Sequence, residues 1–240
     1  MLVLTVPAAA FGTNCYVLAP AAGEECLVVD PGVGVVDSLD NALRDHRVRP
    51  AAVLLTHAHL DHVYSVTPVC GSRGVPAYVH GEDRHRLADP LSLLDPMVVA
   101  MLEQQFGTKA SWTEPDDIEP LFDGAELPLA GLTVRVDHAP GHTEGSVLFR
   151  LPGDGSGSAE TCLSGDVLFA GSIGRTDLPG GDYGAMLRSL ATKILPLPDD
   201  TVVLPGHGPA TTIGAERSTN PFLRGLPTRD HEQFARGHGN

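Results

Sequence analysis

The sequence has little positive charge, few aromatic residues and no long apolar run. Its 240 residues include 16 Lys and Arg against 30 Asp and Glu, which gives a formal net charge of −14. Nucleic-acid-binding surfaces need clustered basic side chains to neutralise phosphates, so this balance argues against a nucleic-acid partner. No stretch reaches the roughly 20 apolar residues of a membrane-spanning helix, and the apolar start lacks the basic residues of a secretory signal. The sequence therefore predicts a cytoplasmic protein without a membrane partner.

Cysteine is also scarce. The four cysteines are Cys15, Cys26, Cys70 and Cys162, and no two of them have the C-x-x-C spacing of a zinc knuckle or a redox motif. They are predicted to be buried, reduced thiols. Apolar residues make up 42% of the chain and charged residues 19%, which is typical of a globular protein with a substantial core.

Histidine, in contrast, is concentrated in a pattern that is typical of a metal site. The segment 56–62 reads Thr-His-Ala-His-Leu-Asp-His, and further candidates stand in glycine-flanked positions later in the chain. Imidazole nitrogens and carboxylate oxygens are ligands of Zn²⁺ and similar ions. Seven such donors exceed the needs of one tetrahedral ion and suit two adjacent ions: His57, His59, Asp61, His62, His142, Asp166 and His207.

Local geometry divides these donors between two ions. Side chains two residues apart in an extended segment share a face, so His57 and His59 can bind the same ion. Asp61 and His62 follow where the chain is predicted to turn into a helix, and they can address a second ion. His142 is predicted to complete the first site, His207 the second, and Asp166 to bridge the two. Asp61 and Asp166 are also predicted to be catalytic. Asp30 is expected to hold the 57–61 loop in shape.

Short apolar runs bounded by Gly, Pro or Asp alternate with helical patterns, which predicts two sheets packed face to face with helices outside, a four-layer αββα sandwich of the α/β (α+β) class. We expect one domain over 1–227 and a polar tail over 228–240. Segment 82–120 reads as a helical insertion that either covers the active-site mouth or decorates the periphery. The predicted strands are 2–6, 15–19, 26–30, 52–56, 77–80, 132–137, 146–151 and 202–204, and the predicted helices 36–46, 61–70, 97–106 and 182–194.

These motifs resemble the metallo-β-lactamase superfamily, and within it the glyoxalase II (hydroxyacylglutathione hydrolase) type in a short form without the C-terminal helical domain. The resemblance spans nearly the whole chain and includes the motifs around Asn14, Asp30, His57–His62, His142, Gly174–Asp177, His207 and Asn220. It implies two divalent ions, with zinc expected and iron or manganese as alternatives. It also places Arg175 where long glyoxalase II enzymes have a glutathione-contacting lysine. Arg175 is therefore a candidate for binding a substrate carboxylate, or else a structural partner of Asp177.

The resemblance implies hydrolysis of the thioester of a small acyl–thiol conjugate such as S-lactoylglutathione. Two cations lower the pKa of a bridging water so that hydroxide exists at neutral pH, and a thiolate can leave without obligatory protonation. The closest alternative is a single-iron persulfide (sulfur) dioxygenase, which shares the first motif but lacks the Gly-His-Gly pattern present at Gly206–Gly208. A lactonase or other ester hydrolase stays open. A β-lactamase is disfavoured because zinc β-lactamases commonly place Cys where this chain has Asp166. The sequence leaves the oligomeric state undecided.

Overall fold

A computed structural model describes residues 1–107, 109–153 and 159–226 of the chain. Within them, two six-stranded sheets form, and each half of the chain supplies one sheet. The first contains, in spatial order, β1 (Leu2–Pro7), β2 (Asn14–Ala19), β3 (Glu25–Val29), β4 (Arg49–Leu54), β5 (Ala77–His80) and β6 (Ile118–Leu121). The second contains β12 (Thr211–Thr212), β11 (Val202–Pro205), β10 (Thr161–Gly165), β9 (Val147–Leu151), β8 (Leu132–His138) and β7 (Glu126–Leu129).

Seven α-helices connect or flank these strands in the described residues. They are α1 (Val36–His46), α2 (Leu60–Val63), α3 (Val66–Gly71), α4 (Arg84–Ala88), α5 (Pro96–Phe106), α6 (Tyr183–Ser189) and α7 (Ile213–Thr219). A one-turn 3₁₀ helix, Gly81–Asp83, precedes α4, and a π-helical turn, Leu190–Ile194, extends α6. No described helix has the length and apolar character needed to cross a membrane.

The apolar residues form three layers of core, which establish the αββα sandwich. Side chains from both sheets meet in the central layer, for example Leu18 and Leu54 with Phe149 and Leu163. The outer face of the first sheet packs against α1 and α3. The outer face of the second sheet packs against α6, its π-helical extension and α7. The mixed α/β sandwich predicted from the alternating strand and helix patterns is therefore confirmed.

Strand direction brings the candidate ligands to one edge of the sandwich. β3, β4 and β5 are parallel, as are β10 and β11, so neighbouring strands end at the same side. Asp30 follows β3, the 57–62 segment follows β4, Asp166 follows β10 and His207 follows β11. Loops held by rigid strands are the usual location of functional side chains.

Several predicted elements differ in detail from the structure. The single helix predicted over 61–70 is instead two short helices, because the helical conformation is interrupted between Val63 and Val66. Segment 82–120 contains α4 and α5, but its last residues, from Ile118, pair with β5 as the edge strand β6. Pro120 is tolerated there because an edge strand does not need every N–H in the ladder. The tail predicted for 228–240 lies outside the described residues.

Candidate metal centre

Three histidines from two loops point one nitrogen each at a common position. They are His57 and His59 after β4 and His142 after β8, and their donor atoms lie within 4.8 Å of one another. His59 Nδ1 and His142 Nε2 are 2.8 Å apart. His57 and His142 are 1% and 3% exposed, so these two rings reach the position from the protein side. These residues form the first donor group.

Asp61, His62 and His207 form the second donor group, again within 4.8 Å. His62 Nε2 lies 3.3 Å from His207 Nε2 and 3.5 Å from Asp61 Oδ2, and the distance from His207 Nε2 to Asp61 Oδ2 is 3.1 Å. His62 is fully buried, whereas the side chains of Asp61 and His207 are 23% and 29% exposed. The group is thus accessible from the side of Asp61 and His207.

Asp166 lies between the two groups. One carboxylate oxygen, Oδ1, is 3.4 Å from His62 Nε2, and the other, Oδ2, is 3.5 Å from His142 Nε2 and 3.6 Å from His207 Nε2. The carboxylate therefore approaches donors of both groups, which is the placement that a bridging ligand requires. All seven residues named from the sequence are brought together.

Two unsatisfied atoms test whether these residues fit metal ions. His57 Nε2 and Asp166 Oδ1 are buried and lack a hydrogen-bond partner among the described residues. Buried polar atoms are nearly always paired, so two orphans facing one position indicate ligand atoms. Donor atoms around a tetrahedral zinc ion with 2.0–2.1 Å bonds lie about 3.3 Å apart. The 2.8–3.5 Å separations within the donor groups match that spacing.

Electrostatics within the site favours neutral imidazoles in the first group. Burial, followed by the neighbouring histidines, lowers the pKa of His57 well below its usual value, and burial with His142 lowers the pKa of His59 to about 3. Burial, the largest single influence, raises the pKa of Asp61 and Asp166, but His62 and the other neighbouring histidines together outweigh it and lower the pKa of both carboxyls. Neutral imidazoles and ionised carboxylates are the forms that bind metals.

Hydrogen bonds on the far side of three rings fix their orientation. His57 Nδ1 lies 3.1 Å from Thr56 Oγ1, His62 Nδ1 lies 3.0 Å from Asp30 Oδ2, and His142 Nδ1 lies 2.8 Å from the carbonyl oxygen of Arg175. A proton held on Nδ1 leaves Nε2 free as the donor atom.

Asp30 has the place predicted from the sequence. Its carboxylate accepts hydrogen bonds from Thr56 N at 2.8 Å and Thr56 Oγ1 at 2.6 Å, in addition to its contact with His62. It is 2% exposed and has a φ of 51°, in the left-handed region that Asp tolerates better than most residues. Asp30 therefore links the end of β3 to the loop that carries four candidate ligands.

Two glycines beside the candidate ligands allow neighbouring side chains to pack directly against the backbone. A β-carbon at Gly206 would collide with Asp166 Oδ1 and with the imidazole of His62. Gly165 has a φ of 48°, and a β-carbon there would meet the side chain of Thr56. A larger residue at Gly206 would therefore push Asp166 away from His62, and one at Gly165 would displace Thr56, which contacts His57 and Asp30.

The site opens into a cavity of about 570 Å³. His59 and Asp61 lie in the wall of this cavity, together with α5 and the loop after Gly174. The lining also includes the apolar side chains of Leu93, Leu94, Val98 and Leu178. Segment 82–120 therefore borders the mouth of the site.

Arg175 also lines this cavity, at its rim. Its guanidinium is exposed and donates to both carboxylate oxygens of Asp177, at 2.7 and 2.8 Å. The ion pair that the sequence left open as an alternative is thus present. A substrate carboxylate at this position would compete with Asp177 for the guanidinium.

Sequence reasoning missed most of the residues that support the ligand loops. Thr13 Oγ1 donates to Asp61 Oδ2 at 3.2 Å, and Asn14 Nδ2 and the Tyr16 hydroxyl both donate to the carbonyl of Pro205, at 3.0 and 2.7 Å. The buried pair Asp83 and Arg86 was missed as well. These contacts join residues far apart in the chain, so no local pattern in the sequence predicts them.

Comparison with known proteins agrees with this geometry. A family model described as the metallo-beta-lactamase superfamily matches residues 8–207. An uncharacterized protein of Mycobacterium tuberculosis is 46% identical, over 94% of this chain and 99% of its own length. The hydroxyacylglutathione hydrolase GloC of Haemophilus influenzae is 34% identical, over 91% of this chain and 96% of its own.

Two solved structures are also similar. The BLEG-1 B3 metallo-beta-lactamase has a TM-score of 0.75 and 39% identity, covering 93% of this chain and all of that one. The di-iron-bound form of TTHA1623 has a TM-score of 0.73 and 36% identity, covering 92% of this chain and all of that one.

Proposed function

The chain belongs to the metallo-beta-lactamase superfamily, and from this premise we propose that it is a two-metal hydrolase that cleaves the thioester of a small acyl–thiol conjugate. The observation that carries the proposal is the pair of donor groups with Asp166 between them. His57, His59 and His142 would hold one ion, Asp61, His62 and His207 the other, and Asp166 both. Asp61 and Asp166 are the proposed catalytic carboxylates.

Two divalent ions bound here would act as Lewis acids: they would lower the pKa of bound water towards about 7 and polarise a carbonyl group. We propose zinc as the metal, with iron or manganese as alternatives, because nitrogen and oxygen donors suit all three. The di-iron form of the related TTHA1623 structure supports keeping iron among them.

The cavity beside the ligands suits a thioester. Its apolar side chains could receive the acyl or carrier chain, and a carbonyl bound beside Asp61 and His59 would lie next to the proposed metal positions. A thiol has a pKa of about 8.5, so a thiolate leaves without a dedicated proton donor. The chemistry therefore needs no Ser or Cys nucleophile, and Cys15, Cys26, Cys70 and Cys162 are all buried away from this wall.

The similarity to GloC supports a hydroxyacyl thioester of glutathione as the substrate class. Arg175, at the rim, is the proposed contact for a substrate carboxylate. Because Asp177 already occupies its guanidinium, we propose that an anionic substrate displaces that ion pair on binding.

Hydrolysis of a β-lactam is a second candidate, favoured by the 39% identity to the BLEG-1 structure. The same site chemistry would act on an amide carbonyl in a strained ring. The acyl–thiol reading is preferred because an amine leaving group needs a proton, whereas a thiolate does not.

The test is a parallel assay of the purified, metal-loaded protein on S-lactoylglutathione, glutathione persulfide and a chromogenic β-lactam. We expect thioester cleavage with release of a free thiol, and little activity on the other two. His207→Ala serves as the control, since it removes a ligand of the second group. Oxygen uptake with the persulfide and no thioester cleavage would contradict the proposal, and preferential β-lactam cleavage would establish the second candidate.

A further inference from the structure

A buried carboxylate outside the ligand set contacts both loops of the first donor group. Asp83, at the end of the 3₁₀ helix after β5, is 0% exposed. Its Oδ2 accepts hydrogen bonds from Ala58 N and Thr143 Oγ1, each at 2.8 Å, and its Oδ1 accepts one from Gly145 N at 2.8 Å. Ala58 lies between His57 and His59, and Thr143 follows His142.

The second donor group has different supports. Asp30 contacts His62, Thr13 donates to Asp61, and Asn14 donates to the carbonyls of Pro205 and Gly208 on either side of His207. Among the described residues, the hydrogen bonds of Asp83 to the ligand loops go only to residues beside the first-group ligands His57, His59 and His142. Asp30 reaches both groups, because it also accepts hydrogen bonds from Thr56, which contacts His57, whereas Asp83 supports the first group only.

Arg86 keeps the Asp83 carboxylate in place. Its guanidinium is 3% exposed and lies 3.5 Å from Asp83 Oδ1, and it also donates to Glu144 Oε2 at 2.6 Å and to the carbonyl of Pro179 at 2.7 Å. A buried carboxylate is costly unless it is paired and hydrogen-bonded. Asp83 satisfies that condition while tying two ligand loops together.

We propose that Asp83 is a positioning residue that sets the metal affinity of the first donor group and leaves the second unaffected. The inference rests on the proposed two-metal function. Partners of metal ligands typically change metal affinity by about 10–100-fold when they are mutated.

The experiment is a Zn²⁺ titration of metal-free full-length protein, comparing wild type with Asp83→Asn. Asparagine keeps the size of the side chain, but its NH₂ group cannot accept the hydrogen bonds that one carboxylate oxygen of Asp83 accepts. We expect wild type to bind two ions, and the variant to bind one with wild-type affinity and the other about 10–100-fold more weakly. His142→Ala gives the reference pattern for loss of the first site.

Glu216→Gln is the matched control. Glu216 is also a buried carboxylate, 3% exposed, and accepts from Gly171 N at 2.8 Å, Thr211 Oγ1 at 2.6 Å and Asn220 Nδ2 at 2.8 Å. We expect the Glu216→Gln variant to be less stable than wild type but to bind both ions with wild-type affinity. Thr143→Val, which removes one bond to Asp83, gives a milder version of the same selective loss if Asp83→Asn does not fold.

Two ions bound to Asp83→Asn with wild-type affinities would overturn the inference, as would equal weakening of both sites. Fewer than two ions bound to the wild type would overturn the two-metal function itself. That result is seen in the wild-type titration alone, so the two failures are distinguishable.

Discussion

At the scale of single residues, Asp166 is the candidate ligand whose loss should affect function most, because it approaches both donor groups. Its two oxygens lie 3.4–3.6 Å from three histidines that belong to both donor groups. It is also one of the two residues with a buried, unpaired ligand atom facing the site. Loss of its carboxylate would therefore remove a donor from both proposed metal positions at once.

Asp166→Ala is expected to reduce turnover to background and to lower the metal content of the protein. Thermal stability in the metal-free state serves as the control, since it separates loss of ligation from loss of fold. Metal analysis by mass spectrometry together with the thioester assay checks the result. Two ions and full activity in this variant would refute the bridging role.

The four buried cysteines give a prediction about thiol reactivity. Burial raises the pKa of Cys26, Cys70 and Cys162 to about 12, and raises that of Cys15 further. Since the thiolate is the reactive form, a raised pKa keeps these groups protonated and unreactive at pH 8. We expect no alkylation by iodoacetamide in the native protein and alkylation of all four thiols after unfolding, as read by mass spectrometry. Rapid labelling of the folded protein would contradict this.

The sequence identified the seven candidate ligands that the structure brings together, but not most of the residues that support them. The ligands could be recognised because His57, His59, Asp61 and His62 are adjacent in the chain and chemically distinctive. Asp83 could not, because its partners Ala58 and Thr143 are 25 and 60 residues away. Such contacts depend on the fold and leave no local pattern.

At the scale of elements, α5 borders the mouth of the site. Asp95 caps its first turn by accepting from Met97 N at 2.7 Å, and Gly107 ends it with a φ of 67°. It contacts the body of the protein through Leu102, which packs in a small cluster with Ala10, Val33 and Leu60. A cavity of about 250 Å³ lies beside this contact, so α5 is held by few apolar contacts.

Leu102→Ala is expected to lower the free energy of unfolding by about 2–3 kcal/mol and to raise KM, because Leu→Ala changes in cores cost about 2–5 kcal/mol and this cluster is small. Met101→Ala, at a position 62% exposed, is the control and should change stability by less than about 0.5 kcal/mol. Denaturant unfolding and steady-state kinetics make the comparison. Equal effects of the two changes would contradict the role given to Leu102.

Three strands that the sequence did not predict, β6, β7 and β10, share a physical cause. β6 carries Pro120, β7 is a short edge strand, and β10 includes the polar residues Thr161 and Ser164 within a buried strand. None has a long apolar run, so their strand conformation comes from pairing with neighbours. The longer apolar strands, such as β2 and β3, could be recognised from composition.

At the scale of the whole molecule, the two sheets and the metal centre depend on one another. The first half of the chain supplies His57, His59, Asp61 and His62, and the second half supplies His142, Asp166 and His207. Asn14 and Tyr16 of the first sheet bond to the loop that carries His207 in the second. Bound metal is thus expected to stabilise the packing of the two sheets as well as to catalyse the reaction.

The most direct test of this account is titration of metal-free protein with Zn²⁺ while hydrolysis of S-lactoylglutathione is followed. The account predicts that activity rises with added metal and stops rising at two bound ions per chain. Undiminished hydrolysis by the metal-free protein, or saturation of activity without bound metal, would contradict it.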